Sequence, residues 1–414
     1  MRISIIGAGP AGAIAATRLA RAGASVSLFD PSHPREKPCG GGLTGRALSL
    51  VSDVIDITTL GAVCISSATV ERPIYRDRDV PARPAHVPLI DRGSSAESSL
   101  LVVSRAVFDR ALLDAAIAAG ARFIAEKATD VYRHANAMIV HTARGRYETD
   151  FVLGADGPNS MVRKKLAVPF TRAQMSVAAG FFVHGVSSST IAIASVDEQP
   201  GYLWSFPRRD HLAVGICAPA PARVSSTTLR AQTLTWIERR GLHHAATLEP
   251  YAWPIPSVGF DDARRLATSG SGWMLLGDAA GLVDPLTREG IYYALLSGGW
   301  AADALMTSAT ADRAAAVYRD RLRSVVQPEL ARAARLSTLF FSPRFSSLFV
   351  DALGQSAAIR EVFADLVAGV QPYRGLRRRL LRTREWRLAG RSIRLAVTPR
   401  FAGTIRRVVS PQAT

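Results

Sequence analysis

The chain has 414 residues, 51 Lys and Arg against 34 Asp and Glu, and a formal net charge of +17. At about 100–200 residues per domain this is two or three units, and 48% hydrophobic with 21% charged residues excludes wholesale disorder. Three scattered cysteines, Cys39, Cys64 and Cys217, exclude a disulfide framework and show no paired metal spacing, and no apolar run approaches the ~20 residues of a membrane span.

In chain order, Arg2–Ile6 reads as a short apolar strand starting almost at Met1, so no secretory leader is expected. Gly7-Ala-Gly9-Pro-Ala11-Gly12 is a glycine-rich turn, residues 13–21 an Ala-rich helix stopped by Gly23, and Ser25–Phe29 a second strand ending at Asp30. A loop and a helix from about Thr44 follow, then short Pro-rich strands over 61–99 ending in a polar loop at 93–99. Residues 107–119 form a helix stopped by Gly120, and 121–153 alternate as strands. The stretch 166–264 is strand-rich, without a second glycine-rich nucleotide turn. Residues 273–276 are a strand entering Gly277-Asp278, residues 290–306 a helix, and 311–370 further helices. The segment 371–414 holds 12 Arg against one acid, Glu385, a net of +11 that leaves +6 for the body. It reads as helix or loop.

The first motif is the glycine turn. Gly7 permits the tight turn, Gly9 and the neighbouring Ala11 let a pyrophosphate approach backbone, and Gly12 lets helix pack on strand. The helix N-terminus then offers free N–H groups to phosphate. Asp30, 18 residues beyond Gly12, suits ribose hydroxyls. This pattern alone does not separate NAD from FAD.

Two later segments do. Gly154-Ala-Asp156-Gly157-Pro-Asn-Ser160 with Arg163 resembles the internal Asp-Gly motif of aromatic-hydroxylase-type flavoproteins. Gly277-Asp278-Ala-Ala-Gly281-Leu-Val-Asp284-Pro285 resembles their second FAD fingerprint. Three segments narrow the resemblance to the geranylgeranyl reductase family: Lys37-Pro38-Cys39-Gly40-Gly41-Gly42-Leu43, Tyr202-Leu-Trp204-Ser-Phe206-Pro207, and Pro285-Leu-Thr-Arg288-Glu289-Gly290-Ile291-Tyr292-Tyr293-Ala294. The likeness covers roughly residues 1–310. Arg288 departs from it, standing where a glycine is expected, and Pro200 lies one position closer to Tyr202 than the usual leading proline.

The resemblance implies an α/β (mixed α+β) fold. A Rossmann-like FAD-binding domain (1–65, 100–165 and 265–315) is interleaved with a sheet-rich substrate domain (66–99 and 166–264), and 316–414 is a helical, Arg-rich C-terminal region. It implies that Asp278 meets the ribityl chain, that Gly290 and Ile291 present a helix N-terminus to the flavin pyrimidine end, and that Arg105, Asp156, Gly40 and Gly41 lie near the cofactor. It places Cys39 near the isoalloxazine, where a thiol can relay a proton; a small buried residue beside a turn is the plain alternative. Tyr202, Trp204 and Phe206 alternate on a strand and share a face, which is either a core stripe or the wall of an apolar cavity. Tyr202 and Trp204 are then catalytic candidates, and Phe206 and Tyr292 substrate-binding ones. Arg105 has a surface helix start as its alternative, and core packing suits at least one of Tyr292 and Tyr293. No metal site and no catalytic His are expected.

The activity implied is FAD-dependent reduction of C=C bonds in an isoprenoid or other apolar substrate, with hydride from reduced flavin N5 and with NAD(P)H or a protein electron donor as reductant. A flavin monooxygenase or dehydrogenase of a small molecule, and a flavin-binding protein without catalysis, are the alternatives. The basic tail reads as a solvated helix face, an anionic-lipid footprint or, least readily, a nucleic-acid contact. Cysteine usage favours a reducing, cytoplasmic setting, and the lipid reading of the tail adds peripheral membrane contact. Oligomeric state is not legible.

Overall fold

The computed structural model describes residues 1–74, 84–89, 100–196, 200–242 and 247–385. The expected polar loop at 93–99 and the apolar residues of the tail (Trp386, Leu388, Ile393, Leu395 and Val397) lie outside them.

The class is mixed α/β. A six-stranded sheet runs in the order Ser269–Gly270, Trp273–Leu275, Phe151–Gly154, Arg2–Ile6, Ser25–Phe29, Arg122–Ile124. All pairs are parallel except the short edge strand Ser269–Gly270. Ile3 sits opposite Phe151 and Val26, both buried, so the central strands are apolar on both faces. The helix Pro10–Arg21 connects the first two strands and packs against Ile291–Thr307. Their approach is close because Gly298 faces Ala11: a Cβ at 298 would overlap the Ala11 carbonyl oxygen. The glycine turn thus sits at the carboxyl edge of the sheet, where such folds bind dinucleotides.

A second, seven-stranded sheet has the order Thr247–Pro256, Met175–His184, His211–Pro219, Tyr202–Pro207, Thr190–Val196, Ser67–Ile74, Ala85–Pro88. It is antiparallel except where Thr190–Val196 meets Ser67–Ile74. Alternation divides its two faces. Ala192, Ala194, Leu203, Val214 and Ile216 pack with Leu229, Trp236 and Ile237 of the helix Ser226–Arg239. Ile191, Ile193, Tyr202, Trp204 and Phe206 face a cavity on the other side. That helix interrupts a stretch read as strands from sequence. Its threonines are weak helix formers, and burial of Trp236 against the sheet decides the matter.

Between the sheets lies a small three-stranded one in which Leu100–Val102 pairs with Gly42–Thr44 and Val63–Cys64. From residue 311 to the end of the described residues the chain is mainly helical. The helices Gln327–Phe340, Pro343–Gln355, Ala357–Val367 and Leu376–Arg382 close over the cavity face of the second sheet.

Candidate functional site

A single cavity of about 1720 Å³ joins the glycine turn to the second sheet. At one end it is walled by Gly7, Gly9, Ala11, Asp30 and Arg105, with Asp156, Gly277, Asp278, Gly290 and Ile291. Gly7, at φ +102°, passes so near Ala155 that a Cβ would overlap its carbonyl. Gly12 lies behind the wall, against the Gly7 carbonyl, and is what lets the helix sit there. A Cβ at Gly9 would enter the cavity and meet only Lys37 Nζ, at 3.4 Å. The helix starts on Gly9 with Pro10 and without a side-chain cap, so its first N–H groups face this space. The helix from Ile291 starts likewise on Gly290. Two positive helix ends and a lysine therefore converge on a site shaped for an extended, phosphate-bearing ligand.

The carboxylates around it divide by what they already bond. Asp30 accepts from the Ala8 N–H at 3.1 Å and the Ser32 N–H at 2.9 Å. Asp156 accepts from Ser160 Oγ at 2.5 Å and from the N–H groups of Met161 and Val162 at 2.6 and 3.1 Å, so it secures the helix Met161–Leu166. Its neighbour Arg163 is buried and donates to three carbonyls, those of Ala279, Val168 and Ala267, which fixes the Gly277–Ala280 turn. Asp278 makes no side-chain hydrogen bond among the described residues, and burial pushes its carboxyl up. An acceptor placed this way fits a hydroxyl-bearing ligand. The glycine cradle and this free carboxylate are what FAD requires.

Cys39 stands at the junction of the two ends. Its Sγ accepts the Gly41 N–H at 3.4 Å, and its carbonyl accepts Arg208 Nη2 at 2.6 Å. Arg208 is 1% exposed. It also meets Glu36 Oε1 at 3.0 Å and His211 Nε2 at 2.9 Å. Burial holds its guanidinium below the usual range. Glu36 bonds Ser104 and the Arg105 N–H, and so caps the helix Arg105–Ala118. Arg105 lies beside Cys39 and makes two bonds to the fully buried Asp109, at 2.9 and 2.7 Å. Lys37 Nζ is 3.4 Å from the same carboxylate and His33 Nε2 is 3.3 Å from it. Despite its burial, the Arg105 and Lys37 cations hold Asp109 far below the usual carboxylate range, and burial lowers Lys37. Arg105 is thus an internal residue and not the surface helix start that was its alternative.

The loop after the second fingerprint is braced from three sides. Asp284 accepts from the N–H groups of Leu286 and Thr287 and from Tyr373 Oη at 3.0 Å. Glu289 binds Thr44 Oγ1 at 2.9 Å and pairs with Arg46. Tyr202 Oη donates to the Thr287 carbonyl at 3.2 Å, and burial pushes its phenol well up. Pro285 is buried inside this loop and does not line the cavity. Neither does Tyr292, whose ring lies 4.0 Å from the Arg46 guanidinium. The expectation that it touches substrate gives way to this stacking.

The far end is apolar. Tyr202, Trp204 and Phe206 form one wall with Trp253 and Ile255. Phe206 lies against Gly40, where a Cβ would come within 3.1 Å of its ring, and a Cβ at Gly41 would overlap the Val103 carbonyl. The opposite wall is C-terminal: Phe341 stacks on Tyr202 at 5.7 Å, and Phe340, Phe349 and Phe363 continue it. Sequence reasoning missed this wall. It also missed Glu36, Arg208, Asp109 and Arg46. For Arg105 and Asp109, the i,i+4 spacing was a usable signal; for the others only the fold brings partners together. Among the described residues no cluster suits a metal ion.

The FAD binding domain family matches residues 1–247 of this chain. The chain is 30% identical over 320 residues to a geranylgeranyl diphosphate reductase of Rhodobacter capsulatus, covering 73% of this chain and 74% of that one. It is 30% identical over 362 residues to a menaquinone reductase of Mycobacterium tuberculosis, covering 83% and 85%. A solved geranylgeranyl bacteriochlorophyll reductase-like protein of Thermoplasma acidophilum has a TM-score of 0.73 at 20% identity, over 92% of this chain and 98% of its own. A flavin-dependent brominase has a TM-score of 0.67 at 19% identity, over 92% and 99%. The two solved structures speak for the fold alone.

Proposed function

The chain belongs to the FAD binding domain family and within it to the geranylgeranyl reductases, and it is an FAD-dependent oxidoreductase; from that premise we propose that it reduces C=C bonds in an isoprenoid or similarly apolar substrate. The observation that carries this reading is the single cavity of about 1720 Å³, polar and glycine-walled at one end and aromatic at the other. It exceeds the roughly 300–1,000 Å³ of ordinary ligand pockets, which leaves room for a long apolar chain beside a dinucleotide.

Gly7, Gly9, Gly12, Asp30 and Asp278 would hold FAD, which when bound and reduced supplies hydride. The chain's own contribution is alignment, exclusion of water and a proton. Isolated alkenes are poor hydride acceptors, so the reacting carbon must be held within ~3–3.5 Å of its donor. The rigid wall of Tyr202, Trp204, Phe206 and Phe341 suits that task. Cys39 Sγ is the atom we assign to proton delivery, because Tyr202 already donates its proton to Thr287 and burial disfavours its ionisation. NAD(P)H or a protein electron donor is the reductant in this reading.

The route for substrate is a lipid surface. Leu339, Leu380 and Leu381 are exposed and also line the cavity, beside the exposed Arg377. An apolar mouth flanked by arginines suits an anionic membrane. No helix among the described residues is long and apolar enough to cross one.

The test is anaerobic. The FAD-loaded enzyme is reduced and mixed with a geranylgeranyl substrate, and flavin reoxidation with a saturated product is expected. Reoxidation by oxygen alone, with a hydroxylated product, overturns the reading in favour of a monooxygenase.

A further inference from the structure

Arg288 is out of place by every local criterion. Of the four non-glycine residues at positive φ among the described residues, it is the one that lines the cavity, at φ +60°. That backbone region favours glycine, the residue the family resemblance leads one to expect there. Its Nε is buried without a partner, and its one hydrogen bond runs from Nη1 to Ser257 Oγ at 2.6 Å. Among the described residues no carboxylate lies within ion-pair distance. The two acids of its own loop are engaged elsewhere, Asp284 with Leu286, Thr287 and Tyr373, and Glu289 with Thr44 and Arg46. Its charge is felt by Tyr202 and Cys217, which line the same cavity. A glycine would relieve both the backbone cost and the cost of a half-buried guanidinium whose Nε lacks a partner. A strained, unpaired charge at a cavity wall points to a ligand that completes it.

We propose that Arg288 is a specificity-determining residue that receives an electron-rich oxygen of the substrate, a carboxylate or a carbonyl, at the loop 284–290. The guanidinium fork suits either, and a carboxylate best. The inference deepens the reading of the cavity as a substrate site and rests on it.

The experiment titrates the oxidised, FAD-loaded enzyme with geranylgeranoic acid, geranylgeranial and geranylgeraniol, followed by the perturbation of flavin absorbance. These ligands differ only at the terminal oxygen group. The wild type is expected to bind the acid or the aldehyde at least tenfold tighter than the alcohol, and whichever is tighter identifies the oxygen. Arg288→Gly should erase that preference while leaving the alcohol within threefold, and Arg288→Lys should keep part of it. An equal loss for all three ligands, no change in any, or loss of FAD from Arg288→Gly overturns the proposal. If none of the C20 compounds binds the wild type, the isoprenoid reading fails, and 3-methylbut-2-enoate becomes the probe. Binding of this short acid to wild type but not to Arg288→Gly keeps the role of Arg288. Binding to neither, or equally to both, removes it.

Discussion

Asp278 at the cavity wall and the fully buried Asp109 are two aspartates near the cofactor cradle, and they differ in what they bond. Among the described residues Asp278 has no hydrogen-bond partner, so its interaction free energy is available to a ligand. A hydrogen bond to a charged group contributes about 1.5–3 kcal/mol. Asp278→Ala is therefore expected to weaken FAD by about 10–150-fold without unfolding the protein. The check is the flavin-to-protein ratio and the far-UV spectrum of the purified variant; an unchanged ratio refutes the assignment. Asp109 is held by Arg105, Lys37 and His33. Because its folded-state pKa is depressed from 3.8, its contribution is complete above about that pH and is lost as pH falls below it. Asp109→Asn leaves the buried Arg105 and the partly exposed Lys37 without their counter-charge and should cost about 3–5 kcal/mol near neutrality. Denaturant unfolding of both proteins should show that gap narrowing below pH 3.8. A gap independent of pH would mean that packing alone accounts for the loss.

At the scale of elements, the cradle depends on two helices whose N-termini converge. Gly298 sets their separation, since any Cβ there meets the Ala11 carbonyl and Ile14. Gly298→Ala should push the helices apart at a cost of about 1–3 kcal/mol, typical of overpacking, and should lower FAD affinity with it. Thermal unfolding with and without added FAD measures both, and wild-type values for each would show that the contact yields freely. The first helix and its flanking strands were legible because glycine spacing and apolar alternation are local. The helix at 105–118 begins two residues before its sequence reading, since Glu36 caps it from a distant loop. The helix Ser226–Arg239 was passed over although Ser225 caps it and Leu229, Thr233, Trp236 and Ile237 recur at helical spacing. Its threonines and the strands on either side masked that signal, and the sheet it covers makes it plain.

For the whole molecule, the C-terminal segment changes character. Read as a basic tail from residue 371, it is in its described part a wall of the cavity. The N–H groups of Tyr373 and Arg374 bond Glu329, Tyr373 Oη bonds Asp284, and Arg379 pairs with Asp365. Truncation at residue 370 would thus open the site. Truncation after Glu385 removes six of the 12 arginines of 371–414 and keeps those contacts. That variant is expected to retain FAD while losing salt-sensitive binding to anionic vesicles, measured by co-sedimentation at low and high salt. Undiminished binding would place the contact on the exposed leucines at the mouth instead.

What the sequence determined by itself is the cofactor. The glycine turn, the terminal acid and the second fingerprint are short, contiguous patterns, and each requirement of the ligand is met by residues a few positions apart. What only the tertiary structure decided is the shape of the substrate end. There Tyr202 meets Phe341, Arg208 meets Cys39 and Glu36, and Arg288 faces the cavity without a counter-charge among the described residues. These relations join residues tens to hundreds of positions apart. Local propensity and periodicity carry no information about such pairs, because burial creates them only once the sheets and the C-terminal helices have packed.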